Sequence, residues 1–232
     1  DKTLSKVCEG KTPSEILNIS VADIACGSGI FLEEAFAYLQ DYCVQWYICN
    51  GQTDHLIETG IDLYKLPLQE KKDILCSCIY GIDIDIHAVE VAKFSLLIKL
   101  IEDETAPSVS EVVPILPDLG DNIQFGNSLV SQTELNGISG ANRQMMEIAP
   151  FDWSTINNGC GFDVIIGNPP YVNTEGMHAL LPSAEVEIYK KKYKTSHKQF
   201  DKYFIFIEQA INKINENGLV CYIVPNLSLI HI

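Results

Sequence analysis

Short, almost wholly apolar runs recur along this chain, separated by segments whose apolar residues repeat at helical spacing, and that alternation confines the fold more than any other feature. The runs are residues 21–25, 78–83, 123–125, 162–167 and 219–224. Phe31, Ala35, Tyr38, Leu39 and Tyr42 follow the first at helical spacing, and Val89, Ala92, Leu96 and Leu100 give one apolar face to a helix over residues 87–100. Phe204, Ile207, Ile211 and Ile214 mark a further helix that Asn217-Gly218 stops. A strand buried on both faces has no polar side to alternate with, so these runs predict an α/β fold with a doubly wound, mostly parallel sheet. With 232 residues, 47% of them hydrophobic, one sizeable core is expected, in a single domain over residues 1–232. The polar stretch at about 50–75 reads as a helical insertion. Residues 105–121, with Pro107, Pro114 and Pro117, read as an irregular connector, and residues 172–199 as an extended flexible loop.

Composition excludes some roles and complicates another. The longest apolar stretches, such as residues 94–101, are broken by Lys99 and fall short of the roughly 20 residues a membrane span needs. The chain opens at Asp1 with neither Met nor an apolar leader, so an internal start without a secretion signal is expected. Eight cysteines lie mostly in apolar runs, which fits buried free thiols in a reducing cytoplasm. Cys76 and Cys78, on one face if the segment is a strand, have no second pair to complete a zinc site, so no metal is expected. The net charge of −15 sits badly with binding phosphate backbones, which relies on Lys and Arg.

Chemistry is concentrated at three places. In the run from Asp23 through Ala25, Cys26, Gly27, Ser28 and Gly29 to Phe31, the two glycines let backbone pass close to a ligand at the carboxyl edge of the first strand. A tight structural turn would account for them too, and the third glycine of the dinucleotide fingerprint is missing. Asp83 ends the second strand, where a carboxylate can accept both hydroxyls of an adenosyl ribose, with Ile84 as an apolar wall; Asp85 reads as a helix cap. The third place is Asn168-Pro169-Pro170-Tyr171, directly after a buried run. Two prolines fix the backbone and present carbonyls rather than amides. The exocyclic amine of adenine is a weak nucleophile because its lone pair is delocalised into the ring. Accepting both its hydrogens, on the Asn168 oxygen and the Pro169 carbonyl, would free that lone pair, an effect strongest in the transition state. Tyr171 can stack on a base flipped out of the duplex.

Together these segments resemble motifs I, II and IV of class I S-adenosylmethionine-dependent methyltransferases, whose fold is Rossmann-like. The pairing of A-C-G-S-G with N-P-P-Y resembles the adenine-N6 DNA methyltransferases of restriction-modification systems, type IIG enzymes in particular, from about Pro13 to the C-terminus. The resemblance implies an S-adenosylmethionine-dependent enzyme of the bacterial cytoplasm that acts on double-stranded DNA. It implies that Asp23, Ala25 and Gly27, with Cys26, Gly29 and Phe31 nearby, hold the methionine end of the cofactor. Asp83 and Ile84 would hold its ribose and base, and Asn168, Pro169, Pro170 and Tyr171 would form the catalytic set. Gly126-Asn127-Ser128-Leu129 is similar to motif III, with Asn127 where an Asp is usual and Ser128 beside it. The N-terminal motif is absent or reduced to Lys11-Thr12-Pro13, and the resemblance implies a truncated catalytic core without the target-recognition domain. Lys190, Lys191, Lys192, Lys194, Lys198 and Lys202 crowd one stretch and are candidates for DNA phosphates, a solvated loop being the alternative. Release-factor glutamine methyltransferases also carry N-P-P-Y, so protein amide or RNA methylation stays open, as does a catalytically incomplete cofactor-binding fragment. Glu70-Lys71-Lys72 lacks the preceding Pro-Asp of a nuclease signature.

Overall fold

The computed structural model describes residues 2–105, 113–135 and 141–225. Pro107 of the expected connector and residues 136–140 lie outside them. Five strands form one sheet: β1 (Val21–Asp23), β4 (Ile79–Asp83), β5 (Ile123–Phe125), β6 (Phe162–Gly167) and β7 (Ile214–Tyr222). They lie in the order β5-β4-β1-β6-β7 and every pairing is parallel. This is the doubly wound sheet expected. Adjacent strand residues feed opposite faces: Val21, Ile79 and Val164 join a core under the helices of the first half, whereas Ala22, Tyr80 and Ile165 join a second core on the other side. Burial of the three inner strands, β1, β4 and β6, on both faces is why their runs lack polar alternation.

The first core is closed by α1 (Lys2–Cys8), α2 (Pro13–Ile16), α3 (Ile30–Cys49), α4 (Leu68–Cys78) and α5 (Ile86–Ile101). Thr12 and Glu15 make a reciprocal capping box at the start of α2, with Pro13 in its first turn. The insertion differs from the helix expected. Antiparallel strands β2 (Ile57–Gly60) and β3 (Leu63–Lys65) form a hairpin, turned at Asp62 with φ 57°, before α4 begins. The buried Glu104 carboxylate ties this hairpin down through Lys65 at 3.0 Å and Lys71 at 2.6 Å. Cys76 and Cys78 end α4 instead of starting a strand. Two positions apart on a helix they face different ways, Cys78 buried and Cys76 half-buried.

Residues 172–199 are not an extended loop. They contain α8 (Thr174–Leu180), capped by the Asn173 side chain, and α9 (Ser183–Lys192), after the short α6 (Gln132–Leu135) and α7 (Ala141–Ile148). The fully buried Tyr189 and the largely buried Val186 and Ile188 dock α9 on the second core, and its three C-terminal lysines suit the negative end of the helix dipole. Helix α10 (Lys202–Lys213) also presents another face than its apolar spacing suggested. Lys202, Tyr203, Ile205, Phe206, Gln209 and Ala210 turn inward, while Phe204 and Ile211 face solvent. It stops at Lys213 rather than Asn217, because residues 215–218 are absorbed as an irregularity in the β6–β7 register, with Asn217 at φ 66°.

Candidate active site

Strand order reverses between β1 and β6, and in doubly wound sheets that is where ligands meet the carboxyl ends of the strands. The turn after β1 is left-handed at Gly27 (φ 53°) and Gly29 (φ 89°). Gly29 begins α3 with no side-chain cap, and a Cβ there would lie 3.0 Å from that of Ala92 in α5, so the two helices approach only because it is glycine. Asp83 clamps this turn to the end of β4. Its Oδ2 accepts the Gly27 N–H at 2.7 Å and its Oδ1 the Asp85 N–H at 2.9 Å. Each oxygen keeps a lone pair for a ligand hydroxyl. Asp85 caps α5 through the His87 N–H at 2.9 Å. The Ser128 hydroxyl donates to the Ile24 carbonyl at 2.6 Å, tying the end of β5 to β1.

A cavity of about 270 Å³ opens over these strand ends. Ala25, Asp83, Ile84, Asn127, Ser128, Asn168 and Pro170 line it, so it brings together residues from all three sequence motifs. Ile24, Gly126, Lys202 and Phe206 complete the lining. Asp23 is sealed beneath, 2% exposed, with Oδ1 accepting the Ala25 N–H at 3.0 Å. Burial drives its pKa up to about 7; the nearby Asp83 charge adds to the rise, and the Ala25 N–H opposes it. Gly167, at φ 148°, gives Asp23 its room, since a Cβ there would lie 2.6 Å from Oδ1. Cys26 is buried, its N–H donating to the Ile82 carbonyl at 3.0 Å, and Phe31 is half-buried in the first turn of α3.

At the end of β6, Pro169 is buried, while Asn168, Pro170 and Tyr171 are exposed. The Tyr171 hydroxyl contacts Asn168 Oδ1 and lies 2.7 Å from the Ile223 carbonyl. Its ring meets Tyr203 edge to face at 5.9 Å.

Beside Asn127 lies a polar cluster that sequence spacing did not suggest. Glu185, 1% exposed, accepts from Asn127 Nδ2 at 2.9 Å and from the Tyr189 hydroxyl. Burial and the Glu185 charge hold that phenol well above its usual pKa. Asn127 Oδ1 accepts the Leu129 N–H at 3.1 Å. Lys202 places Nζ 3.9 Å from Glu185 Oε1; burial pushes its pKa down, and Glu185 and Asp83 pull it back up. Lys202 thus leaves the group of candidate DNA contacts. Lys192 leaves it as well, paired with Glu134 at 2.8 Å and donating to the Leu129 carbonyl. Lys190, Lys191, Lys194 and Lys198 remain exposed. Among the described residues no cluster of His, Cys, Asp or Glu could hold a metal ion, and no helix is long and apolar enough to cross a membrane.

The sequence model of the Eco57I restriction-modification methylase family matches residues 77–230, from the end of α4 to past β7. The chain belongs to that family. It is 46% identical over 97% of its length to the type II restriction enzyme and methyltransferase RM.Eco57I of Escherichia coli, of which it spans 21%. Two solved structures share its fold. A nuclease-deletion mutant of the type ISP enzyme LlaGI with a DNA substrate mimic has TM-score 0.53 and 16% identity, over 96% of this chain and 16% of that one. The DrdV–DNA complex has TM-score 0.53 and 17% identity, over 96% and 18%. In this methylase-family chain, then, the cavity and the N-P-P-Y turn stand on a sheet shared with restriction-modification enzymes.

Proposed function

We propose that this chain is the catalytic domain of a restriction-modification enzyme that transfers a methyl group from S-adenosylmethionine to the N6 amine of adenine in double-stranded DNA. The observation that carries the reading is the convergence of Asn168, Asp83 and Ala25, just before the glycine turn, on one cavity. Its lining suits an adenosyl group: Ile24, Ile84 and Phe206 offer apolar walls to a flat base, and Asp83 offers acceptors to ribose hydroxyls. Bound there, S-adenosylmethionine supplies an electrophilic methyl group.

The chain's own part is to make the amine nucleophilic. Asn168 Oδ1 and the Pro169 carbonyl accept its two hydrogens, drawing the nitrogen toward a tetrahedral shape as it takes the methyl group from sulfur, the C–S bond breaking, and gives up one proton to water. Tyr171 now occupies Asn168 Oδ1, so the arriving base displaces its hydroxyl and the ring turns to stack on the base. Unstacking that base from the duplex costs a few kcal/mol, which such stacking helps to offset. Exposed Lys190, Lys191 and Lys194 meet neighbouring phosphates, and sequence recognition is assigned to parts of the longer enzyme outside these residues.

The same acceptor pair suits a glutamine amide, but family membership favours DNA. Labelled S-adenosylmethionine offered with the full-length enzyme to duplex DNA, RNA and a release factor separates the readings. Label is expected in DNA alone, recovered as N6-methyladenine; label in RNA or protein, or as another methylated base, contradicts the proposal.

A further inference from the structure

Lys202 opens α10 on the cavity wall and has no task in the chemistry above. Its side chain is buried, yet its ammonium makes no hydrogen bond among the described residues. Glu185 Oε1 stands 3.9 Å away, a long ion pair, and the Tyr189 ring centroid 5.6 Å away. Three N–H donors without a hydrogen-bond partner among the described residues are free for an acceptor, and the cavity that Lys202 lines is where one can arrive. Phe206 lies one helical turn further along α10, so ring and ammonium face the cavity side by side. Glu185 also fixes Asn127, taking its Nδ2 while the Leu129 N–H holds Oδ1, and so the amide oxygen rather than its nitrogen remains for a ligand amine.

We propose that Lys202 is a specificity-determining contact for the cofactor's base, donating a hydrogen bond from Nζ to a ring nitrogen of adenine while Asn127 Oδ1 accepts from its amine. Lysine has donors only, and the ring nitrogens are the base's acceptors. An ammonium would repel the sulfonium, which places it at the base end of the ligand, beside Asn127. Glu185 is the positioning residue that holds both side chains. The inference rests on the reading that the cavity takes S-adenosylmethionine.

Calorimetry on the full-length enzyme tests it with S-adenosylhomocysteine and its 1-deaza, 3-deaza and 7-deaza analogues. Wild type should bind one deaza analogue about tenfold more weakly than the parent compound. Lys202→Met should bind the parent about tenfold more weakly and no longer discriminate against that analogue, and Lys202→Arg should restore part of the discrimination. If Lys202→Met binds the parent as wild type does, or if its melting temperature is unchanged and all four compounds weaken equally, Lys202 does not read the base. Failure of the parent compound to bind wild type contradicts the cofactor reading itself.

Discussion

Asp83 and Asp23 end neighbouring strands, one at the open cavity and the other sealed under the glycine turn. Asp83 holds two backbone N–H groups and still has lone pairs for a ligand, so Asp83→Ala should weaken S-adenosylmethionine binding about tenfold or more by calorimetry. Equal affinity would remove Asp83 from the ribose. Asp23 leads to a pH dependence. Its pKa is about 7 in the fold and near 3.8 unfolded, so between these values the native state binds more protons than the unfolded chain. Stability contributed by the neutral carboxyl is therefore present at low pH and lost as pH rises through that window, by up to about 1.4 kcal/mol per pH unit. Melting of Asp23→Asn should lack this slope, and a slope equal to wild type would mean that Asp23 is ionised throughout.

Among the elements, β6 depends on its last residue. Gly167→Ala would strain a left-handed backbone and press Cβ into the Asp23 carboxylate, a loss of at least about 1–3 kcal/mol in denaturant unfolding. An alanine variant as stable as wild type would show that Asp23 can move aside. Strands β1, β4 and β6 were legible in the sequence because burial on both faces leaves each a largely apolar run; the edge strand β7 is half exposed, and its polar start at residues 214–218 was not legible. The glycine turn, Asp83 and N-P-P-Y were legible because each is a contiguous motif. Helix α10 was legible in place but not in orientation: its inward stripe includes Lys202 and Gln209, and two of its most conspicuous apolar residues, Phe204 and Ile211, point out. Helix α9 was hidden by Glu185, a carboxylate whose burial depends on Asn127, Tyr189 and Lys202. Asn127 and Lys202 belong to other parts of the chain and leave no local pattern around Glu185, so the polar side of the cavity emerges only when the helices are packed.

The whole molecule carries a net charge of −15, while Lys190, Lys191 and Lys194 lie exposed where α9 ends. In the full-length enzyme, Lys191→Glu with Lys194→Glu should weaken DNA binding uniformly across sequences and lower the slope of log affinity against log salt by about one for each phosphate no longer neutralised. An unchanged slope would place DNA elsewhere. The central claim is that the turn after β6 presents paired oxygen acceptors to an amine opposite the cofactor. It is tested most directly by single-turnover methyl transfer with Asn168→Ala in the full-length enzyme, alongside its affinity for S-adenosylmethionine. Undiminished cofactor binding with methyl transfer slowed at least about a hundredfold is the predicted result. Methyl transfer at the wild-type rate would contradict the account.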